Sequence, residues 1–549
     1  MKLFSKQLLF FIIIANCLFL ISQIPLFLHI QRNPAGSLYP LVHFEFSHDY
    51  YAYLAAITQG KAGYLLHFNS YSAEPAAKGI FLVYYLFWGH VARLLSLTSY
   101  VTYHIARILS LELFFTSVYV LCRIILKKKH ALLGALFSLL ITVPPHQLYT
   151  RFLGQTLNYS RYPGGILWWA ELDAIERLNG IPHHVFGQAM LVLGIAFLMA
   201  FLQKKTLRFA VLSGVFFFIG GLVFPAIVAV PVAVCAALLV WRIIREIRVK
   251  GGIREVWKLP WFGGFLTILI FALVSLSISF YQERQGFPWN DWRIRELNLW
   301  NAATSDFDKT FIFSFAIYLG LGLISSIRFI RSSFSYKEAV IIAWAFLPFL
   351  LLPFANFLGI PKIRLTQLAP FVPFSILIID FLYIHPLYFL RNKFRWAILA
   401  VIFIVSIYTS ASILKKRIDA AAIYVSGHQM HIPAKEVAAL EFIEQNIGKE
   451  SVVLATERLG NIIPAFVPVV SYLGHSAKTK DFYAKLSLAN SFFAGSMNDM
   501  EALDFVSNSR IEYVYFGTDE KYLGKTSLTY PFLRSFYEKD GITLYKAQR

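Results

Sequence analysis

Runs of about twenty apolar residues recur along this chain as far as residue 413, parted by short loops. A run of that length crosses the hydrocarbon core of a bilayer as a helix, in which the backbone N–H and C=O groups bond to one another. The choice of folds is thereby narrowed to a helical membrane bundle. Composition agrees, since 57% of the 549 residues are hydrophobic and 15% are charged, more apolar surface than a water-soluble domain can bury. The runs are 8–30, 80–97, 101–126, 182–202, 206–222, 223–243, 261–280, 310–327, 337–355, 365–385 and 395–413, with a short apolar run at 131–143. They predict a polytopic α-helical membrane protein of roughly 11–13 spans.

Lys2 and Lys6 precede the first run and no small-residue cleavage site follows it, so it reads as an uncleaved anchor with a cytoplasmic N-terminus. The net charge of +20 is unevenly placed. Residues 430–549 hold 13 Lys and Arg against 14 Asp and Glu, leaving 38 against 17 for residues 1–429. That excess lies mostly in short loops such as 242–258, 328–337 and 391–395, where basic residues mark the cytoplasmic side. It is a topology signal rather than a nucleic-acid footprint. One loop conflicts with it. If 80–97 and 101–126 are both full spans, Lys127-Lys128-Lys129 falls outside, against the positive-inside tendency.

Residues 1–429 therefore read as a transmembrane domain with a first external loop at 31–78 and a second polar insertion at 146–181. Residues 430–549 read as a small extracytoplasmic α/β domain. A helix is expected over 434–445, strands near 452–455, 467–472 and 511–516, and a terminal hairpin around Lys539-Asp540-Gly541. Cys17, Cys122 and Cys235 lie far apart in apolar runs, which suggests neither a disulfide framework nor a zinc site. No glycine-rich phosphate loop or GxSxG occurs.

Chemistry-bearing residues concentrate at the ends of the runs. His48, Asp49, Tyr50 and Tyr53 follow the first span. A carboxylate there can act as general base on a hydroxyl brought to the membrane surface; Asp49 can equally cap a helix starting at Tyr50, and the rings can form an interfacial belt. Lys78 opens the second span, as a phosphate ligand or a snorkelling anchor. Arg161, Arg177, His183 and His184 line the second insertion and suit a phosphate or diphosphate, or are structural. Adjacent histidines on a helix make a two-ligand metal site a poor expectation. Lys362 and Arg364 fall in a loop expected outside, against the usual charge bias, as phosphate ligands or a topological exception. Gly474 and His475 follow a predicted strand, a ligand position in α/β sheets, or belong to the cap of the helix at 482–493.

This layout resembles the class C glycosyltransferases, the superfamily of the protein O-mannosyltransferases and lipid A aminoarabinose transferases. The likeness lies in His48-Asp49-Tyr50-Tyr51-Ala52-Tyr53 after the first helix, without the second acid that often follows, and in Lys78-Gly79, Gly89 and Arg107. Gly474-His475 and the strand Tyr513–Gly517 are similar to the tails of bacterial members. The resemblance implies transfer of a sugar from a polyprenyl-phosphate donor at the outer face of the plasma membrane, with inversion. Asp49 would be the base, and Lys78 with Arg or His residues near the second insertion would steady the departing phosphate. The acceptor would be a glycan, lipid or protein. No cofactor is required, and a divalent cation is left open. A transporter or lipid flippase with an external sensor domain is the alternative, and a surface-polysaccharide polymerase or ligase is a third.

Overall fold

The computed structural model describes residues 6–43, 47–142, 173–250, 260–302, 307–331, 335–384, 392–423 and 430–548. Its chain divides into two compact units. One comprises Met1–Ile24, Arg107–Phe280 and Glu296–Asp419; the other comprises Pro25–Ala106, Tyr281–Arg295 and Ala420–Arg549. The soluble domain expected at 430–549 thus shares a unit with the first external loop.

Among the described residues, seven helices are long and apolar enough to cross a membrane, or nine if two bent pairs each count as one span. The protein is a multi-pass helical membrane protein. Two runs expected to cross form shorter helices, Val83–Leu95 and Leu207–Val223, of 13 and 17 residues, and the short run at 131–143 lies in the 13-residue helix Lys128–Leu140. Thirteen residues rise only about 20 Å, short of a ~30 Å core. If Val83–Leu95 does not cross, a single crossing separates residue 79 from residue 127. The basic run Lys127–Lys129 then falls on the side opposite to residues 31–78, and the conflict in the sequence disappears.

The first unit is a bundle with one continuous apolar core from Leu8 to Ile402. Close approach of its helices relies on small residues, as where a Cβ on Gly194 would lie 2.6 Å from the Phe217 ring. The intramembrane Arg107 is buried and its guanidinium donates to neutral groups. It donates to Gln23 Oε1 at 2.9 Å and Asn179 Oδ1 at 2.6 Å, in keeping with the cost of an unpaired charge there.

In the second unit, strands Val452–Leu454, Val470–Ser471, Tyr513–Phe516, Leu533–Lys539 and Ile542–Ala547 form one sheet. The first three are mutually parallel, Val452–Leu454 lying in the middle, and the last two are an antiparallel hairpin added beside Tyr513–Phe516. The expected helix is Ala434–Asn446. A short antiparallel pairing of Ser37–Leu38 with Ile432–Pro433 joins the loop after the first helix to the start of this domain.

The helix Ser47–Lys61 is buried along almost its whole length. It crosses Val83–Leu95 at Gly60 and Gly89, where an added Cβ would lie 2.2 Å from Leu86 O and 2.2 Å from Ile57 O respectively. Backbone cannot yield to that overlap. Gly89→Ala is therefore expected to cost about 1–3 kcal/mol, read as a lowered Tm of the purified protein; an unchanged Tm would argue against this crossing.

Candidate active site

Asp49 lies inside the helix Ser47–Lys61, two residues past its first residue, so it is not the cap of a helix starting at Tyr50. Its Oδ1 accepts a hydrogen bond from His475 Nε2 at 2.9 Å. The helix Glu457–Phe466 brings the two together. It packs along the Asp49 helix, and Thr58 Oγ1 donates to Ala465 O at 2.6 Å. On its other side Gly460 meets the loop after strand Val470–Ser471, where a Cβ would lie 2.0 Å from Leu473 O. Gly474 is the opposite half of that contact, 2.6 Å from Gly460 O by the same measure. Gly474 thus serves to set His475 in place. The stretch also leads into the helix Phe482–Phe493, with Asp481 at its N-cap position as the cap alternative expected, though without a side-chain cap bond.

The His475 tautomer follows from its neighbours. Ala477 N–H donates to Nδ1 at 3.1 Å, so Nδ1 is the acceptor and Nε2 carries the proton given to Asp49. Burial holds the imidazole pKa below its usual value, outweighing the Asp49 carboxylate that acts to raise it. For Asp49, burial acts to raise the pKa. The His475 hydrogen bond and the nearby His475, Lys478 and His48 outweigh it, and the net shift is downward. The result is an ionised carboxylate, 24% exposed, held through one oxygen by a neutral imidazole. Among the described residues Asp49 makes no other side-chain hydrogen bond, which leaves Oδ2 for a ligand. Its neighbours at 44–46 lie outside the described residues.

His48 Nε2 stands 3.6 Å from Glu457 Oε1. Tyr50 donates from its hydroxyl to Pro40 O at 2.7 Å, and the Tyr53 ring stacks on Tyr85 with centroids 4.8 Å apart. Both tyrosines are buried, so they build the helix's setting rather than an exposed interfacial belt. Lys78 Nζ pairs with Glu450 at 2.6 Å and lies 4.9 Å from the Tyr64 ring centroid.

The remaining cations belong to the first unit. Arg364 pairs with Glu296, Nε at 3.0 Å, and its Nη1 reaches His184 Nε2 at 3.0 Å and Gln367 Oε1 at 3.1 Å. His183 and His184 open the helix Pro182–Lys204 with ring centroids 4.3 Å apart. Lys362 Nζ pairs with Asp308 at 2.7 Å. Arg177 is buried, donating to Leu139 O and Ile141 O and stacked over Phe371. Arg161 lies outside the described residues, with most of the second insertion. Among the described residues no group of three or more His, Cys, Asp or Glu is placed to hold a metal ion.

One functional candidate gave little sign of itself in the sequence. Lys478, three residues past His475, is 4% exposed, and its Nζ makes no hydrogen bond. It lies 4.3 Å from the Trp292 ring centroid and lowers the Asp49 pKa through its charge. A lysine in a loop after a strand reads as solvated until its surroundings are known.

No protein-family model matches the sequence, and no curated protein does. Among solved structures, the chain aligns with the Archaeoglobus fulgidus oligosaccharyltransferase tethered to an acceptor peptide containing an NVT sequon. Identity is 14%, coverage 92% of this chain and 70% of that one, and TM-score 0.49. The same archaeal enzyme, AglB, bound to an inhibitory peptide and a dolichol-phosphate, aligns at TM-score 0.45 with 14% identity over 92% and 70%. ArnT from Cupriavidus metallidurans bound to undecaprenyl phosphate aligns at TM-score 0.46 with 10% identity, over 98% of this chain and 97% of that one. At such scores and identities, what this chain does has to come from its own residues.

Proposed function

We propose that this protein is a membrane glycosyltransferase that moves a sugar from a polyprenyl-phosphate carrier to an acceptor hydroxyl, with Asp49 as general base. The observation that carries the reading is the Asp49 carboxylate, bonded through Oδ1 to a neutral His475, with Oδ2 uncommitted among the described residues. The sequence pattern around Asp49, Lys78 and Gly89 is consistent with it.

In the reaction, Oδ2 takes the acceptor proton as the acceptor oxygen attacks the anomeric carbon. The bond from that carbon to the phosphate oxygen breaks on the opposite face, its electron pair leaves with the lipid phosphate, and the centre inverts. His475 keeps its proton on Nε2, so it orients the base and holds it ionised. Lys78 is the candidate for the departing phosphate in the same unit, a phosphate oxygen replacing Glu450 at its amine. Arg364 with His183 and His184, and Lys362, are further phosphate candidates, each cation now resting on a carboxylate. This scheme calls on no cofactor, and a divalent cation is left open.

The reading sets residues 31–78 and the C-terminal domain outside the plasma membrane, with the N-terminus cytoplasmic. Support comes from the loop charges, including Lys127–Lys129 once Val83–Leu95 is not counted as a crossing. Transfer from a radiolabelled polyprenyl-phosphate sugar by Asp49→Asn tests the assignment. Undiminished transfer would overturn it, and transport of the lipid without transfer would favour a flippase.

A further inference from the structure

A small, partly open pocket in the second unit is lined by His67, Asn69, Pro288, Trp289, Trp292, Ala477 and Lys478. Its walls are firmly tied. His67 and Gly79 exchange backbone hydrogen bonds at 2.8 and 2.9 Å. Trp289 Nε1 donates to Ala77 O at 3.1 Å, and its ring stacks on Phe81. Asn69 Nδ2 donates to Lys478 O at 2.9 Å, and Arg295 to Ser476 O at 2.6 Å. A rigid wall around a buried amine without a hydrogen-bond partner is costly unless the amine meets a ligand.

The neighbouring groups define the chemistry. Gln59 Nε2 donates to Phe68 O and Ser70 Oγ, and its Oε1 accepts from Phe68 N–H. That orientation makes His67 Nδ1 the donor in its 2.9 Å bond to Oε1, so Nε2 is a bare acceptor. Burial, and then Lys478, hold the His67 pKa well below its usual value, so the ring stays neutral. An oxyanion beside that lone pair and near the Asp49 carboxylate would be repelled. A hydroxyl would not: it can donate to the imidazole and accept from the amine. The room is that of a single water-sized group, and the flanking indole suits the C–H edge of a sugar.

We infer that this pocket is an acceptor subsite for a carbohydrate, holding one sugar hydroxyl between Lys478 and His67 with the ring against Trp292. The inference rests on the glycosyltransferase reading and names the acceptor as a glycan rather than a lipid or a protein. Lys478 and Trp292 are its specificity-determining residues.

The test is saturation-transfer NMR on the full-length protein in nanodiscs. The probes are methyl glycosides of glucose, mannose, galactose and N-acetylglucosamine, with inorganic phosphate and a serine-containing peptide as the competing classes. At least one glycoside should bind, and Lys478→Met and Trp292→Ala should each weaken it at least ten-fold. Lys478→Met should also raise Tm, because a buried amine without a partner is replaced by an apolar chain, so lost binding cannot be ascribed to unfolding. Asp49→Asn should keep glycoside binding while losing transfer. No glycoside binding, binding indifferent to both pocket variants, or displacement by phosphate or the peptide would overturn the subsite. Asp49-dependent transfer would survive any of those results. Conversely, glycoside binding that the pocket variants weaken would uphold the subsite even if Asp49→Asn transferred normally, and the glycosyltransferase reading alone would fall.

Discussion

Asp49→Asn is expected to lower sugar transfer by about 10²–10⁴-fold, the usual contribution of a positioned general base. The amide keeps the shape of the side chain and can still accept from His475 through its carbonyl oxygen, so Tm should move little. His475 gives the sharper result. In His475→Ala the carboxyl loses the hydrogen bond that offsets its burial, so its pKa should rise. The acid limb of the rate profile should then move to higher pH, leaving the rate well above that limb less affected. A merely structural role for His475 would lower the rate at every pH without moving that limb. The pair of variants thus separates a base held ionised by an imidazole from two polar residues that happen to touch.

Between pH 7 and pH 10 the protein should become more stable, and Lys478→Met should remove most of that rise. Burial is the chief cause of the lowered Lys478 pKa, with Asp49 opposing it, and the amine titrates at about 7 in place of 10.5. Below pH 7 the amine is protonated in folded and unfolded chains alike, and the cost of burying the charge is present in full. Above 7 the folded chain releases the proton while the unfolded chain keeps it until about pH 10.4. Stability therefore climbs with pH in that window, by at most about 1.4 kcal/mol per unit. Of the groups near it, Asp49, His67 and His475 have pKa values held below their ordinary ones, beneath this window. Lys485 also has a lowered pKa, from burial offset by Glu74, so the comparison of wild type with Lys478→Met isolates the pocket amine. Thermal melts across the window read the effect; parallel curves would refute a buried Lys478 amine with a lowered pKa.

The membrane class and the α/β tail were legible because each rests on periodicity. Apolar runs of spanning length, and short β-rich runs at 452–454 and 513–516 parted by helical stretches, follow from neighbours in sequence. The short helices were less legible. Residues 80–97 are apolar enough to span, yet the helix is only Val83–Leu95, with Leu82 before it and Ser96 after it both in the left-handed region. Hydropathy measures composition, and a helix end is decided by local backbone geometry.

For the site, Asp49 stood out because a carboxylate just past an apolar helix is unusual, and His475 because it follows a predicted strand. Nothing in either stretch said that they meet, since 426 positions separate them and the contact depends on Gly460 and Gly474 letting backbone touch backbone. His67, Trp292 and Lys478 come from three distant segments, and each alone reads as an ordinary loop residue. The sequence by itself determined what local pattern can encode: a membrane bundle, its loop charges and a candidate base. The tertiary structure decided which groups share a pocket, which proton each imidazole carries and which lysine is out of water. Those properties depend on burial and partners, and burial belongs to the folded chain.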